Sequence, residues 1–144
     1  MKIAICGSLD FTYKIKKISD ELKKMGFDVF IPISSEKILR GEFSLDEIKK
    51  EKENGQIVEK FIKYNSIRAY YEIIKKSDAI LVVNFDKNNV KNYIGGAVLL
   101  EMGFAHILNK KIFLFNPLPE NCPYLDEIKA MYDKIINGDL TKIK

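Results

Sequence analysis

One glutamate stands inside an otherwise apolar run: Glu101, in Ala97-Val98-Leu99-Leu100-Glu101-Met102-Gly103-Phe104-Ala105. At helical spacing residues 97, 101, 104, 105 and 108 share a face, and every other member of that face is small or apolar. A carboxyl placed there is desolvated, so its pKa rises, and it suits a nucleophile or a general acid/base. The competing assignment is structural, a glutamate paired to a lysine or bonded to backbone amides. Gly95-Gly96 precedes it by about one and a half turns, at the mouth of the same helix. Free amides and the helix dipole favour an anion at such a place, although a tight loop-to-helix turn also uses two glycines.

The other candidates follow apolar runs that read as strands. Cys6-Gly7-Ser8-Leu9-Asp10 ends the first run; Gly7 lets backbone approach a ligand, and Ser8 offers a hydroxyl to a ligand or to a helix cap. Asn84-Phe85-Asp86 follows the central run, Tyr93 stands just before the glycine pair, and Asn116-Pro117 closes the last run. Ligands in doubly wound sheets bind at the carboxyl ends of the strands, so Gly7, Ser8, Asp10, Asn84, Tyr93, Gly95, Gly96 and Asn116 are the expected substrate-binding set. Tyr93 is positioned to stack on a base or sugar. Glu101 is the expected catalytic carboxylate. A nucleophilic Glu101 should face a pocket lined by Gly7, Ser8, Asn84 and the 93–96 loop, and lack a lysine partner. It should also accept hydrogen bonds from neutral hydroxyls or backbone amides, which keep it ionised.

The elements that must position these residues are legible as a pattern. Lys2–Cys6, Asp28–Ile31, Ala79–Asn84 and Lys111–Asn116 are short apolar runs suited to buried parallel strands. Between the first two, Ile15, Ile18, Leu22 and Met25 recur at spacings of three and four, and Gly26 sits at a C-cap position. Helices are expected over Ser66–Lys76, Ala97–Leu108 and Tyr124–Ile136, the last capped by Asn137-Gly138. The charged segment 33–64 reads as one or two exposed helices and a loop. Strands alternating with helices predict a single α/β domain over residues 1–144, doubly wound (Rossmann-like or flavodoxin-like), with a mostly parallel sheet of four or five strands.

The 144 residues are one domain's worth, and 47% hydrophobic residues are enough to build a core. The net charge of +4 comes from 22 lysines and only 2 arginines. The lysines fall in pairs beside Asp or Glu, as on solvated helix faces, and so few arginines argue against a nucleic-acid polymer as partner. No run approaches a membrane span, two cysteines build no disulfide framework, and the chain is expected to be cytoplasmic. His106, the single histidine, lies five residues past Glu101 and faces elsewhere, so neither a histidine metal site nor a redox or metal cofactor is expected.

The N-terminal strand ending Cys6-Gly7-Ser8, the run SDAILVVN at 77–84, the glycine loop, and LLEMGFA at 99–105 followed by KKIFLFNPLP resemble the nucleoside 2-deoxyribosyltransferase-like superfamily. That superfamily includes nucleoside 2-deoxyribosyltransferases and 2'-deoxynucleoside 5'-phosphate N-hydrolases. The likeness covers residues 1–32 and 66–120, and leaves 33–64 as a variable helical insert. The resemblance implies cleavage or transfer at the N-glycosidic bond of a (deoxy)nucleoside or nucleotide. Glu101 matches the glutamate of the family's Glu-x-Gly-x-Ala, its nucleophile. The resemblance also implies a group to protonate the leaving base, for which Asp86, the second expected catalytic carboxylate, and Asp78 are the candidates, and a homodimer or higher homo-oligomer acting on a small molecule. Asp10 stands where the phosphate hydrolases carry an arginine, Gly95 where the family carries Asp or Ser, and Tyr70 where it carries a further Asp. Asp86, in a loop longer than usual, is the candidate replacement. The alternatives are a non-catalytic nucleotide-sensing module, which such departures would suit, and a phosphoribohydrolase of the PGGxGTxxE type. The latter's proline, threonine and second-half glycine are missing here.

Overall fold

A computed structural model describes all of residues 1–144. Five strands form one parallel sheet: β1 (Lys2–Cys6), β2 (Asp28–Phe30), β3 (Ala79–Val82), β4 (Lys111–Leu114) and β5 (Lys134–Ile135), in the order β2-β1-β3-β4-β5. Seven α-helices accompany them: α1 (Thr12–Lys24), α2 (Ile33–Leu39), α3 (Leu45–Glu53), α4 (Ile57–Lys63), α5 (Ser66–Lys76), α6 (Gly96–Ile107) and α7 (Leu125–Met131). No helix is long and apolar enough to cross a membrane.

Strand alternation sorts the core into two layers. Ile3 and Ile5 of β1, with Leu81 and Phe113, pack under Ile15, Ile18 and Leu22 of α1 and the C-terminal Leu140 and Ile143. Ala4 and Cys6, with Ile80, Val82, Ile112 and Leu114, pack under Tyr70 and Ile74 of α5, Val98, Met102 and Ala105 of α6, and Ile128 of α7. Helices therefore cover both faces, which is the doubly wound arrangement expected from the pattern. The period of two also turns Cys6 toward α5 and α6, and this matters at the site.

Two expectations need correction. Helix α7 stops at Met131, because Tyr132 is extended (φ −78°, ψ 149°). The chain then re-enters the sheet: the Asp133 carboxylate accepts the Ile112 amide at 2.7 Å, and the Asp133 amide donates to the Ile112 carbonyl at 2.9 Å. The fifth strand thus comes from the C-terminal segment, not from 33–64 and not from a helix running to Ile136. Segment 33–64 holds three helices instead of one or two. Ser44 caps α3 through the Glu47 amide, and Ile38 and Ile48 are buried beneath the cover.

Candidate functional site

A cavity of about 290 Å³ opens at the carboxyl ends of β1 and β3. In this strand order the chain leaves β1 toward β2 on one side and later returns to place β3 on the other. The crevice at such a switch point is where doubly wound folds bind ligands. Gly7, Ser8, Tyr93, Gly95, Gly96 and Glu101 line it, so six of the sequence-selected residues converge there.

Close packing explains two of the glycines. A Cβ on Gly7 would meet Val83 Cγ2 at 2.5 Å and the Val83 carbonyl oxygen at 3.2 Å, so only glycine lets β1 turn against β3 at this point. A Cβ on Gly95 would lie 2.9 Å from Tyr93 Oη; the missing side chain lets the tyrosine fold back over the mouth of α6. Ser8 caps the short 3-10 turn that follows it, its hydroxyl accepting the Asp10 amide.

Glu101 projects from the second turn of α6, between Val98 and Ala105 on the face that meets the sheet. Its half-buried carboxyl lines the cavity and forms no ion pair. Burial pushes its pKa to about 8, against the opposing pull of a hydrogen bond from the Cys6 thiol. The same burial, with the Glu101 charge, pushes the Cys6 thiol up. A neutral donor was expected at Glu101, and the one present is a thiol, the weakest type available. The Tyr70 hydroxyl, which also lines the cavity, is committed to the Ile5 carbonyl. That shift favours the neutral acid at neutral pH.

Five sequence-selected residues lie elsewhere. Asn84 is fully buried; its Nδ2 donates to the carbonyls of Asn116 (3.1 Å) and Pro117 (2.8 Å), and its Oδ1 accepts the Asn116 amide at 2.8 Å. The Asn116 side chain returns the contact, donating to the Asn84 carbonyl at 3.1 Å. The two asparagines clasp the ends of β3 and β4 and have no hydrogen-bonding capacity turned to the cavity. Asp86 is exposed, and its carboxylate accepts the Asn92 amide at 3.0 Å, closing the base of its loop. Asp10 pairs with Lys87 at 3.5 Å and lies 4.0 Å from Lys49. Asp78 accepts the Lys2 amide at the opposite end of the sheet. Glu101 is therefore the one carboxylate in the cavity wall.

Sequence reasoning missed Lys52, Lys87, Tyr70 and Phe104, all in the cavity wall. Lys87 opens a two-residue hairpin, Lys87-Asn88-Asn89-Val90, with both asparagines at positive φ (52° and 59°). That turn aims the lysine back at Ser8, whose hydroxyl it reaches at 2.8 Å, and over the Tyr93 ring at 5.2 Å. Lys52 lies one turn beyond the buried Ile48 of α3, exposed at the rim of the cavity. No three His, Cys, Asp or Glu side chains gather as a metal-binding group.

No protein-family model matches the sequence, and no curated protein sequence matches it either. Solved structures do. The 2-deoxyribosyltransferase of Bacillus psychrosaccharolyticus superposes with a TM-score of 0.56 at 20% identity, over 93% of this chain and 85% of that one. The chain therefore shares the fold of that enzyme. A CMP N-glycosidase of Clostridium botulinum also matches, at 14% identity and a TM-score of 0.49, over 94% of this chain and 88% of that one.

Proposed function

We propose that the protein cleaves or transfers at the N-glycosidic bond of a (deoxy)nucleoside or nucleotide, with Glu101 as nucleophile. One observation carries this reading: the only carboxylate in the wall of the switch-point cavity is Glu101, unpaired, desolvated and facing the Gly7-Ser8 turn. A structural glutamate would hold a lysine or a set of amides.

The ionised Glu101 attacks the anomeric carbon as the bond to the base nitrogen breaks. The base leaves with the bonding electron pair and takes a proton. Water or a second base then attacks the same carbon and releases the carboxylate, as in retaining glycoside chemistry. With no second carboxylate in the wall, the proton for the base comes from solvent or from the Tyr93 hydroxyl. Asp86 and Asp78 do not line the cavity, and each is bonded to a backbone amide elsewhere. Tyr93, over the glycine mouth, also supplies a face on which a ring can stack. The test is release of free base from a panel of nucleosides and nucleotides, followed by chromatography, with Glu101→Gln alongside. Tight binding of an intact nucleotide without release would favour a nucleotide sensor instead.

The active form in this reading is a homodimer or larger. On α6, Leu100 (49%) and Ile107 (78%) are exposed, and with Leu99, Phe104, Tyr71 and Met131 they line an apolar groove next to the site. Leu100 and Phe104 belong to both cavities, so a second copy seated in the groove would abut the substrate cavity. Light scattering at micromolar concentration should give at least twice 16.6 kDa; a monomer mass refutes this part.

A further inference from the structure

Breaking a glycosidic bond does not call for cations, yet two lysines reach the cavity from unrelated parts of the chain. Lys87 comes from the hairpin after β3 and Lys52 from α3. We propose that Lys52 and Lys87, with the Ser8 hydroxyl, form a subsite for a phosphate monoester, so that the substrate is a nucleoside monophosphate rather than a nucleoside. This rests on the reading of the cavity as an N-glycosidic site.

The charges at this end of the cavity do not balance. Lys87 has one carboxylate nearby, Asp10, and Asp10 is shared with Lys49. Lys52 has no carboxylate within ion-pair distance. Burial and the Lys87 charge both press the Lys52 pKa down, which Asp10 only partly offsets. Glu101, the other ionisable group in the wall apart from the tyrosines, has its pKa raised toward the neutral form and pairs with neither lysine. Two like charges held beside one partly shared carboxylate leave a positive excess, and a dianion removes it.

The geometry around Lys87 fits the same occupant. Its side chain is only 16% exposed, its ammonium donates to Ser8 Oγ at 2.8 Å, and the ring of Tyr93 lies beneath it. A phosphate oxygen arriving here can accept from the ammonium and the hydroxyl together, and such charge-assisted bonds are the strong ones. Asp10 then acts as an internal counter-ion, holding Lys87 in place until the phosphate replaces it. Size argues against a longer chain: about 290 Å³ is at the bottom of the range for ligand pockets, ~300–1,000 Å³. That volume matches a nucleoside with a single phosphate.

The experiment compares matched sets: a deoxynucleoside, its 5'-monophosphate and its 3'-monophosphate, for purine and pyrimidine bases. Base release gives kcat/KM for each, and calorimetry gives binding. The wild-type protein should prefer one monophosphate over its nucleoside by about 100-fold, the yield of two charge-assisted contacts. Which ester gains shows whether the 5' or the 3' oxygen faces the lysines. In Lys52→Met/Lys87→Met the ratio of monophosphate to nucleoside should collapse to within about threefold of one, chiefly through KM. Lys52→Gln alone, on the part-exposed rim, repeats the test with a loss of about tenfold should the double variant fail to fold. Equal kcat/KM for nucleoside and both esters in the wild type overturns the proposal, as does an unchanged ratio in the double variant. If no compound releases base, the catalytic reading fails on its own. Calorimetry then decides the subsite: monophosphate binding that weakens tenfold or more in the double variant sustains it, and equal binding of nucleoside and monophosphate overturns it.

Discussion

Two crevices open on the carboxyl edge of the same sheet, one strand apart. Between β3 and β4, Asn84 and Asn116 face each other and use up their polar groups in a reciprocal clasp. Between β1 and β3, the Gly7-Ser8 turn faces Glu101, whose carboxyl has a single thiol donor and a cavity beside it. Both crevices carry small polar residues after apolar strands, and the sequence offers no way to rank them. The difference is one of satisfaction: a closed network holds the fold, whereas a carboxyl that burial desolvates, open to a cavity and without a charged partner, is a cost that the fold alone does not explain.

This contrast can be broken at each crevice. Asn84→Ala removes three side-chain hydrogen bonds and strands the Asn116 amide, so it should cost about 3–4 kcal/mol in urea unfolding. A loss under ~1 kcal/mol would mean the clasp is not what closes the β3–β4 crevice. Gly7→Ala drives a methyl into Val83, and overpacking of this kind costs about 1–3 kcal/mol. It should also shift β1 against β3 and lower substrate affinity, measured together by denaturation and by binding; wild-type values for both would show that the turn tolerates a Cβ.

Glu101→Gln should behave in the opposite sense. Because the folded-state pKa of about 8 lies above the ordinary 4.5, the native state holds a proton that the unfolded chain has lost between these values. Wild-type stability therefore falls as pH rises from about 4.5 to 8, while the neutral glutamine escapes that loss. Thermal melts should coincide near pH 5 and separate by a few degrees near pH 9, by ~5 °C or more, with the variant the more stable. Identical melts at both pH values would place the carboxyl in water and remove the argument that it is held for chemistry.

Much of this was readable beforehand. Apolar runs located β1, β3 and β4, and the lone charge in α6 marked Glu101, because a carboxylate in an apolar helix breaks a local rule. The fifth strand was hidden because Ile128, Met131 and Ile135 continue a helical spacing past the true end of α7; only the pairing of Asp133 with Ile112 diverts the chain. Lys52 and Lys87 were hidden for another reason. They are two among 22 lysines, and what distinguishes them is a type I' turn in one case and a shared face with Ile48 in the other. Asn84 and Asn116 were placed at the right edge of the sheet but one strand from the cavity, a distinction that depends on which neighbour each side chain meets.

The central claim is that Glu101 attacks an anomeric carbon, and base release against pH tests it most directly. The account predicts that kcat/KM for release of free base rises about tenfold per pH unit up to about 8 and then levels, following the ionised fraction of Glu101. It also predicts that Glu101→Gln loses ~10³-fold or more of that rate while still binding substrate. Base release by Glu101→Gln at the wild-type rate, with the same pH profile, would contradict it.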